Sequence, residues 1–213
     1  EVGCGSGVIG VELTHLYPGA AVSGVDVDAA TLSEAARRAP AVNYVRSDAH
    51  MLPFPDRTFD AVVCHYLLLW LADPAQGVRE MARVTCRGGW VLACAEPDYG
   101  GRVDYPPEMA HLGQLQAEAL RRQGADPQIG RRLGELFAAA GLTGTLGVMA
   151  GQWSIPAAPP AEFDAEWAMR EQDIADLLPA GELACLRALD LQALLEGRRV
   201  LFVPTFYALG KVA

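Results

Sequence analysis

The chain has 213 residues, enough for one α/β domain with a full core, and at 51% hydrophobic and 20% charged it is globular and not disordered. A formal charge of -9 with only 17 basic residues argues against nucleic acid or an anionic membrane as partner, because both need a basic patch. Five scattered cysteines (Cys4, Cys64, Cys86, Cys94 and Cys185) lack metal-site spacing and read as free thiols of a reducing, cytoplasmic setting, and no apolar run has membrane-spanning length.

Glu1-Val2-Gly3-Cys4-Gly5-Ser6-Gly7 is a glycine-rich turn that runs into an apolar helix over residues 7–17. Residues 21–26 read as a short strand, and Asp28 caps a helix that Pro40 ends. Residues 42–46 and 59–64 are further strands, the second an apolar run suited to a buried position. Asp73-Pro74 opens a helix to Arg83, Gly88-Gly89 breaks it, and residues 90–95 form the next strand. This alternation predicts a Rossmann-like three-layer sandwich of class α/β, with helices on both faces of a mostly parallel seven-stranded sheet. The glycine turn should follow a buried central strand, yet only two residues precede it. The first strand is therefore expected to lie largely outside the sequence given, and the native chain to extend upstream of Glu1.

After Pro97 the rhythm changes. Residues 106–122 and 129–140 read as helices, 142–155 as a sixth strand, 161–178 and 181–196 as helices, and 199–212 as a last, antiparallel strand. The whole of residues 1–213 is expected to form one domain, with residues 156–198 inserted between the last two strands as a helical cap over the substrate. Arg121-Arg122 with Arg131-Arg132 is the one candidate basic patch, and it reads as a solvated helix face.

Two cofactor classes compete for the glycine turn. Its glycines allow a tight bend and close backbone approach with no Cβ in the way. Gly5-x-Gly7-x-x-Gly10, with Asp26 21 residues after Gly5, fits the dinucleotide fingerprint. Glu1 points elsewhere: a carboxylate beside the turn would oppose a pyrophosphate and welcome a cofactor with a cationic amino-acid end. Asp48, directly after the third strand, can accept a hydrogen bond from an adenine amino group. Asp48-Ala49-His50-Met51-Leu52-Pro53-Phe54, followed by Thr58-Phe59-Asp60-Ala61-Val62-Val63, completes the pattern.

On these motifs the chain resembles the class I S-adenosylmethionine-dependent methyltransferases, and most of all their quinone and small-molecule (type 11-like) branch. The resemblance is strong over about residues 1–96, and residues 127–142 look like a later helix of that branch. It implies S-adenosyl-L-methionine as cofactor, S-adenosyl-L-homocysteine as product, and a set of contacts. Glu1 would sit near the methionine amino group. Gly3, Cys4, Gly5 and Gly7 would present backbone to the cofactor. Asp26 would take both ribose hydroxyls, and Val27 would pack on the adenine. Asp48 would hold the adenine amino group with Ala49 beside it, and Cys64 and His65 would touch the methionine end.

Methyl transfer from a sulfonium is an in-line displacement that needs alignment and exclusion of water, and a base only where the nucleophile must lose a proton. His65 is the candidate base, with Glu96 and Asp98 also near strand ends, while His15 and His111 read as surface residues. Asp98, Tyr99 and Trp153 are candidates to line an acceptor pocket, and Phe163 and Trp167 add aromatic surface to the cap. The expected acceptor is a small, fairly hydrophobic molecule, and no metal is expected. Oligomeric state is open, a homodimer included. The competing readings are an NAD-type oxidoreductase and a non-catalytic cofactor-binding module of the same fold.

Overall fold

The computed structural model describes residues 1–149, 151, 156 and 158–213. The chain divides into two compact units. The first comprises residues 1–97, 129–148 and 205–213, and the second residues 98–128 and 149–204.

The first unit is α/β with a mixed sheet. Its elements begin with α1 (Val8–Leu16), β1 (Ser23–Asp26), α2 (Ala29–Arg38), β2 (Asn43–Arg46) and β3 (Phe59–His65). They continue with α3 (Pro74–Val84) and β4 (Thr85–Pro97). Two helix starts follow directly from side-chain chemistry. Asp28 accepts from the amides of Ala30 and Thr31 at 3.0 and 3.2 Å, and Asp73 accepts from Gln76 at 2.9 Å ahead of Pro74. β1 pairs with β2 in parallel, as β3 does with β4. Val2 bridges the two pairs, lying parallel to Val25 on one side and Cys64 on the other.

Thr85 joins the β4 ladder at Phe59, so the strand starts before the Gly88-Gly89 break expected to precede it. A second irregularity lies between Ala93 and Glu96, where Ala95 has φ of 59°. Such a bulge re-aims the residues beyond it, and here it precedes the fully buried Glu96.

In chain order β5 is Val103–Tyr105, α4 Ala110–Arg122, α5 Leu133–Ala139, β6 Thr143–Met149, α6 Phe163–Ile174, α7 Ala180–Leu195, β7 Val200–Phe202 and β8 Thr205–Lys211. β8 runs antiparallel to β4, and the order β3-β4-β8-β6 completes the sheet of the first unit. The expected seven strands thus amount, among the described residues, to six in this sheet plus the single residue Val2. A cleft of about 750 Å³ opens near the amino ends of β1 and β3, lined by Val22, Ser23, Phe59 and Val63 among others.

The second unit differs from the expected layout in two ways. Residues 199–212 do not form one strand: β7 pairs with β5, a strand the sequence reading missed, and only β8 joins the main sheet. The unit also draws on residues 98–128 as well as the region of the expected insertion. Its core packs Met109, Leu112, Phe163, Trp167, Ile174 and Leu183. Beside this core runs a chain of buried charges. Arg102 binds Asp104 at 2.6 Å and Gln116 at 2.6 Å, and Arg199 binds Asp104 at 3.1 Å. Arg199 also binds Asp190 at 2.5 Å, and Asp190 accepts from the Trp167 indole at 2.7 Å. No helix among the described residues is long and apolar enough to cross a membrane.

Candidate cofactor site

The carboxyl-terminal tips of Val2, β1, β2 and β3 gather the charged and glycine positions singled out above, all within the first unit. Gly3, Gly5 and Gly7 all have positive φ, of 69°, 49° and 79°. Their reasons differ. A Cβ on Gly3 would lie 2.6 Å from the Leu67 side chain, and one on Gly7 would meet Tyr44 at 2.7 Å and Ala35 at 2.9 Å. A Cβ on Gly5 would meet nothing within 4 Å, so Gly5 faces the open space into which a ligand fits. Cys4 turns its thiol inward, against Gly24, where burial pushes its pKa up to about 12.

Asp26 closes β1 beneath this turn. One carboxylate oxygen accepts from the Gly5 amide at 2.8 Å and the other from the Asp28 amide at 3.0 Å. Each oxygen carries two acceptor sites, so one on each stays available for a hydroxyl while the backbone fixes the group's direction. Val27, next in line, is 63% exposed.

Glu1 lies under the first turn of α1. One of its carboxylate oxygens is buried and has no hydrogen-bond partner among the described residues. Burial raises the carboxyl pKa, opposed by the Gly10 amide. α1 itself has no side-chain cap.

Asp48 follows β2, is exposed, and forms an Asx-type turn with His50. Its Oδ1 accepts from the His50 amide at 2.8 Å and pairs with Nδ1 of the ring at 2.6 Å. These bonds, the backbone one first, hold the Asp48 carboxyl below its ordinary range. Ala49 beside it is buried. The loop that continues from here is braced by α3. Glu80 accepts from the Leu52 amide at 2.8 Å, and Arg83 reaches the carbonyls of Leu52 and Phe54 and the carboxylate of Asp56.

Past β3 the side chains diverge. Cys64, expected to touch the cofactor, is fully buried, backbone and side chain alike, between Val2 and β4, and its thiol pKa is raised by that burial. His65 is exposed at the strand's end. Glu96, considered above as a base, has another task. It accepts from the amides of Leu67, Leu68 and Leu69 at 3.0, 2.9 and 3.3 Å, and so clamps the turn after His65. Because Leu67 presses on Gly3, this clamp reaches the glycine turn. Burial raises the Glu96 pKa while the three amides lower it.

Asp98 and Tyr99 belong to the second unit. Asp98 is buried and caps a short turn through the Gly100 amide at 2.9 Å, and the Tyr99 ring carries the Arg102 guanidinium 5.8 Å from its centroid. Trp153 lies outside the described residues. Phe163 and Trp167, offered above as cap surface, are core. The four arginines of the candidate basic patch divide between the two units. Arg121 and Arg122 pair with Glu118, and Arg132 with Glu135. The five cysteines are unbridged, and no metal-binding cluster occurs among the described residues.

A Rossmann-like domain with acids at the tips of β1 and β2 and an open glycine turn defines a binder of a nucleoside-bearing cofactor. Residues 1–93 match the family described as a methyltransferase domain, which bears out the resemblance to class I S-adenosylmethionine-dependent methyltransferases of the type 11 branch. An uncharacterized methyltransferase of Schizosaccharomyces pombe is 35% identical over 145 residues, covering 62% of this chain and 52% of that one. A demethylmenaquinone methyltransferase of Deinococcus radiodurans is 36% identical over 116 residues, covering 53% and 44%. The chain spans about half or less of the length of these relatives. A geranyl diphosphate methyltransferase solved with S-adenosylmethionine superposes with a TM-score of 0.62 over 100% of this chain and 77% of that one. At 15% identity that likeness speaks for the fold alone.

The residues present fit S-adenosylmethionine, the cofactor this domain implies. Gly5 opens a cradle that a Cβ would fill, Glu1 keeps an orphaned carboxylate oxygen, and Asp26 and Asp48 keep acceptor capacity.

Proposed function

We propose that the protein is an S-adenosylmethionine-dependent methyltransferase acting on a small, fairly hydrophobic acceptor. The observation that carries this reading is the Gly5–Asp26 bond, which aims a carboxylate along a glycine turn that faces open space. Asp26 accepts from both ribose hydroxyls, Val27 packs on the adenine beside Ala49, and the second oxygen of Asp48 accepts from the adenine amino group. Glu1 meets the methionine ammonium, to which a carboxylate with one unpartnered oxygen is suited. Gly3, Cys4, Gly5 and Gly7 contribute backbone. When bound, the cofactor supplies an electrophilic methyl on a sulfonium that leaves as a neutral thioether.

His65 takes the proton of the acceptor where the nucleophilic atom carries one. We assign acceptor recognition to the second unit, with Tyr99 as its candidate contact. An apolar acceptor is supported by the quinone substrate in the name of the Deinococcus relative. Five unbridged cysteines support a cytoplasmic setting.

The test is a pair of titrations followed by turnover. S-adenosylhomocysteine should raise the melting temperature, and NADH should leave it unchanged. A panel of quinones, phenols and isoprenoids should then give a methylated product by mass. Stabilisation by NADH would favour the oxidoreductase reading. Tight binding of S-adenosylhomocysteine with no product across the panel would favour a non-catalytic module.

A further inference from the structure

His50 has no assigned part in cofactor binding, yet it stands between Asp48 and the start of α3. Its amide and its Nδ1 both meet Oδ1 of Asp48, at 2.8 and 2.6 Å. Its Nε2 accepts from the Asp73 amide at 3.2 Å, and its carbonyl accepts from the Gln76 side chain at 3.3 Å. An imidazole that accepts at Nε2 carries its proton at Nδ1, so the Asp73 amide selects the tautomer that donates to Asp48. The ring thereby spends one carboxylate oxygen and turns the other away from itself.

We infer that His50 is a positioning residue for adenine recognition, a strut that ties Asp48 to the first turn of α3 and presents the remaining oxygen, Oδ2, to the adenine amino group. The inference rests on the adenine role given to Asp48 above. It gives a reason for the Asp48-x-His50 spacing. Asp48 is exposed, and an exposed carboxylate on a loop would otherwise sample several rotamers and bind the amino group with a larger loss of freedom. It also explains why Asp73 and Gln76, 23 and 26 residues away in sequence, both contact this one side chain or its backbone.

The experiment compares two ligands on the intact chain. S-adenosylhomocysteine offers an amino group at the purine 6-position, and S-inosylhomocysteine offers a carbonyl in its place. In His50→Ala, affinity for the adenosyl ligand should fall roughly tenfold, the scale of one charge-assisted hydrogen bond, while the inosyl ligand should change by less than about twofold. His50→Asn, whose amide can donate where Nδ1 does, should recover most of the adenosyl affinity. Equal losses for both ligands, or no loss for either, would overturn the strut. Asp48→Ala separates the two ideas. If it weakens only the adenosyl ligand while His50→Ala does nothing, the adenine contact stands and the strut fails. If Asp48→Ala leaves adenosyl affinity intact, the adenine contact fails, and the strut with it.

Discussion

The two units are held together by different means. In the first, the working groups are fixed largely by backbone: Asp26 by the amides of Gly5 and Asp28, Asp48 by that of His50 together with its ring, Glu96 by those of three consecutive leucines. In the second, side chains hold side chains, through Arg102, Asp104, Arg199, Asp190 and Trp167. Backbone amides aim a carboxylate and leave acceptor sites over for a ligand. A closed ion network consumes its own capacity and serves rigidity. The contrast teaches that the first unit is built to receive a polar ligand and that the interior network of the second is built to hold its helices and hairpin.

The largest effect expected from breaking this contrast lies in the second unit. Asp190→Ala strands the Trp167 indole N–H and leaves the buried Arg199 guanidinium with Asp104 as its one remaining carboxylate, and should cost about 2–4 kcal/mol by chemical denaturation. Its folded fraction should still bind S-adenosylhomocysteine normally. A proportionate loss of cofactor affinity would erase the division of labour.

Asp26→Ala probes the opposite side. It should weaken S-adenosylhomocysteine by roughly 10- to 100-fold in calorimetric titration, the equivalent of about 1.5–3 kcal/mol for a charged hydrogen-bonding group, while moving the apo melting temperature little.

Glu96 tests whether a backbone-held acid can be purely structural. Glu96→Ala leaves three amides unpaired and should cost about 1–3 kcal/mol. The pH dependence sharpens the point. Because burial raises the folded pKa above the unfolded one, the folded chain keeps its proton longer, and the stability contributed by this group is lost as pH rises through the folded value. Glu96→Gln should remove that slope in denaturant midpoints measured from acidic to neutral pH.

The smallest effect concerns Glu1. Burial raises its carboxyl pKa, and a cationic ligand needs the ionised form. Affinity for S-adenosylhomocysteine should fall as pH drops through this raised pKa, by no more than about tenfold per pH unit, the limit for one proton. Methylthioadenosine, which lacks the amino-acid end, should show no such trend.

The same contrast decides what could be read in advance. The glycine turn, the Asp28 and Asp73 caps and the acids at strand tips are local signals, because the residues that make them lie within a few positions of the backbone they serve. The chain from α1 to α3 was legible for that reason. His50 was visible only as part of a motif, since its second partner, Asp73, is 23 residues away. Glu96 looked like a base because an acid at a strand's end invites that reading, and the bulge that turns it inward leaves no mark in composition. β5 is three residues long, and its partner β7 lies almost a hundred residues on, so no periodicity could show either. Residues 199–212 read as one strand because apolar character continues across Pro204, where the pairing changes from one sheet to another.

That change of partner carries a further consequence. Pro97 and Thr205 are paired on neighbouring strands of the first unit, and the next residues on either side, Asp98 and Pro204, are hydrogen-bonded at 2.8 Å in the second. The outgoing and returning peptides therefore share one doorway. Closing the chain at such adjacent ends costs little loop entropy, but residues 129–148 return to the first unit between them, so what can be exchanged is residues 98–128 and 149–204 and not the whole span. A lineage could rebuild those two segments and leave the glycine turn and the acids at its strand tips untouched.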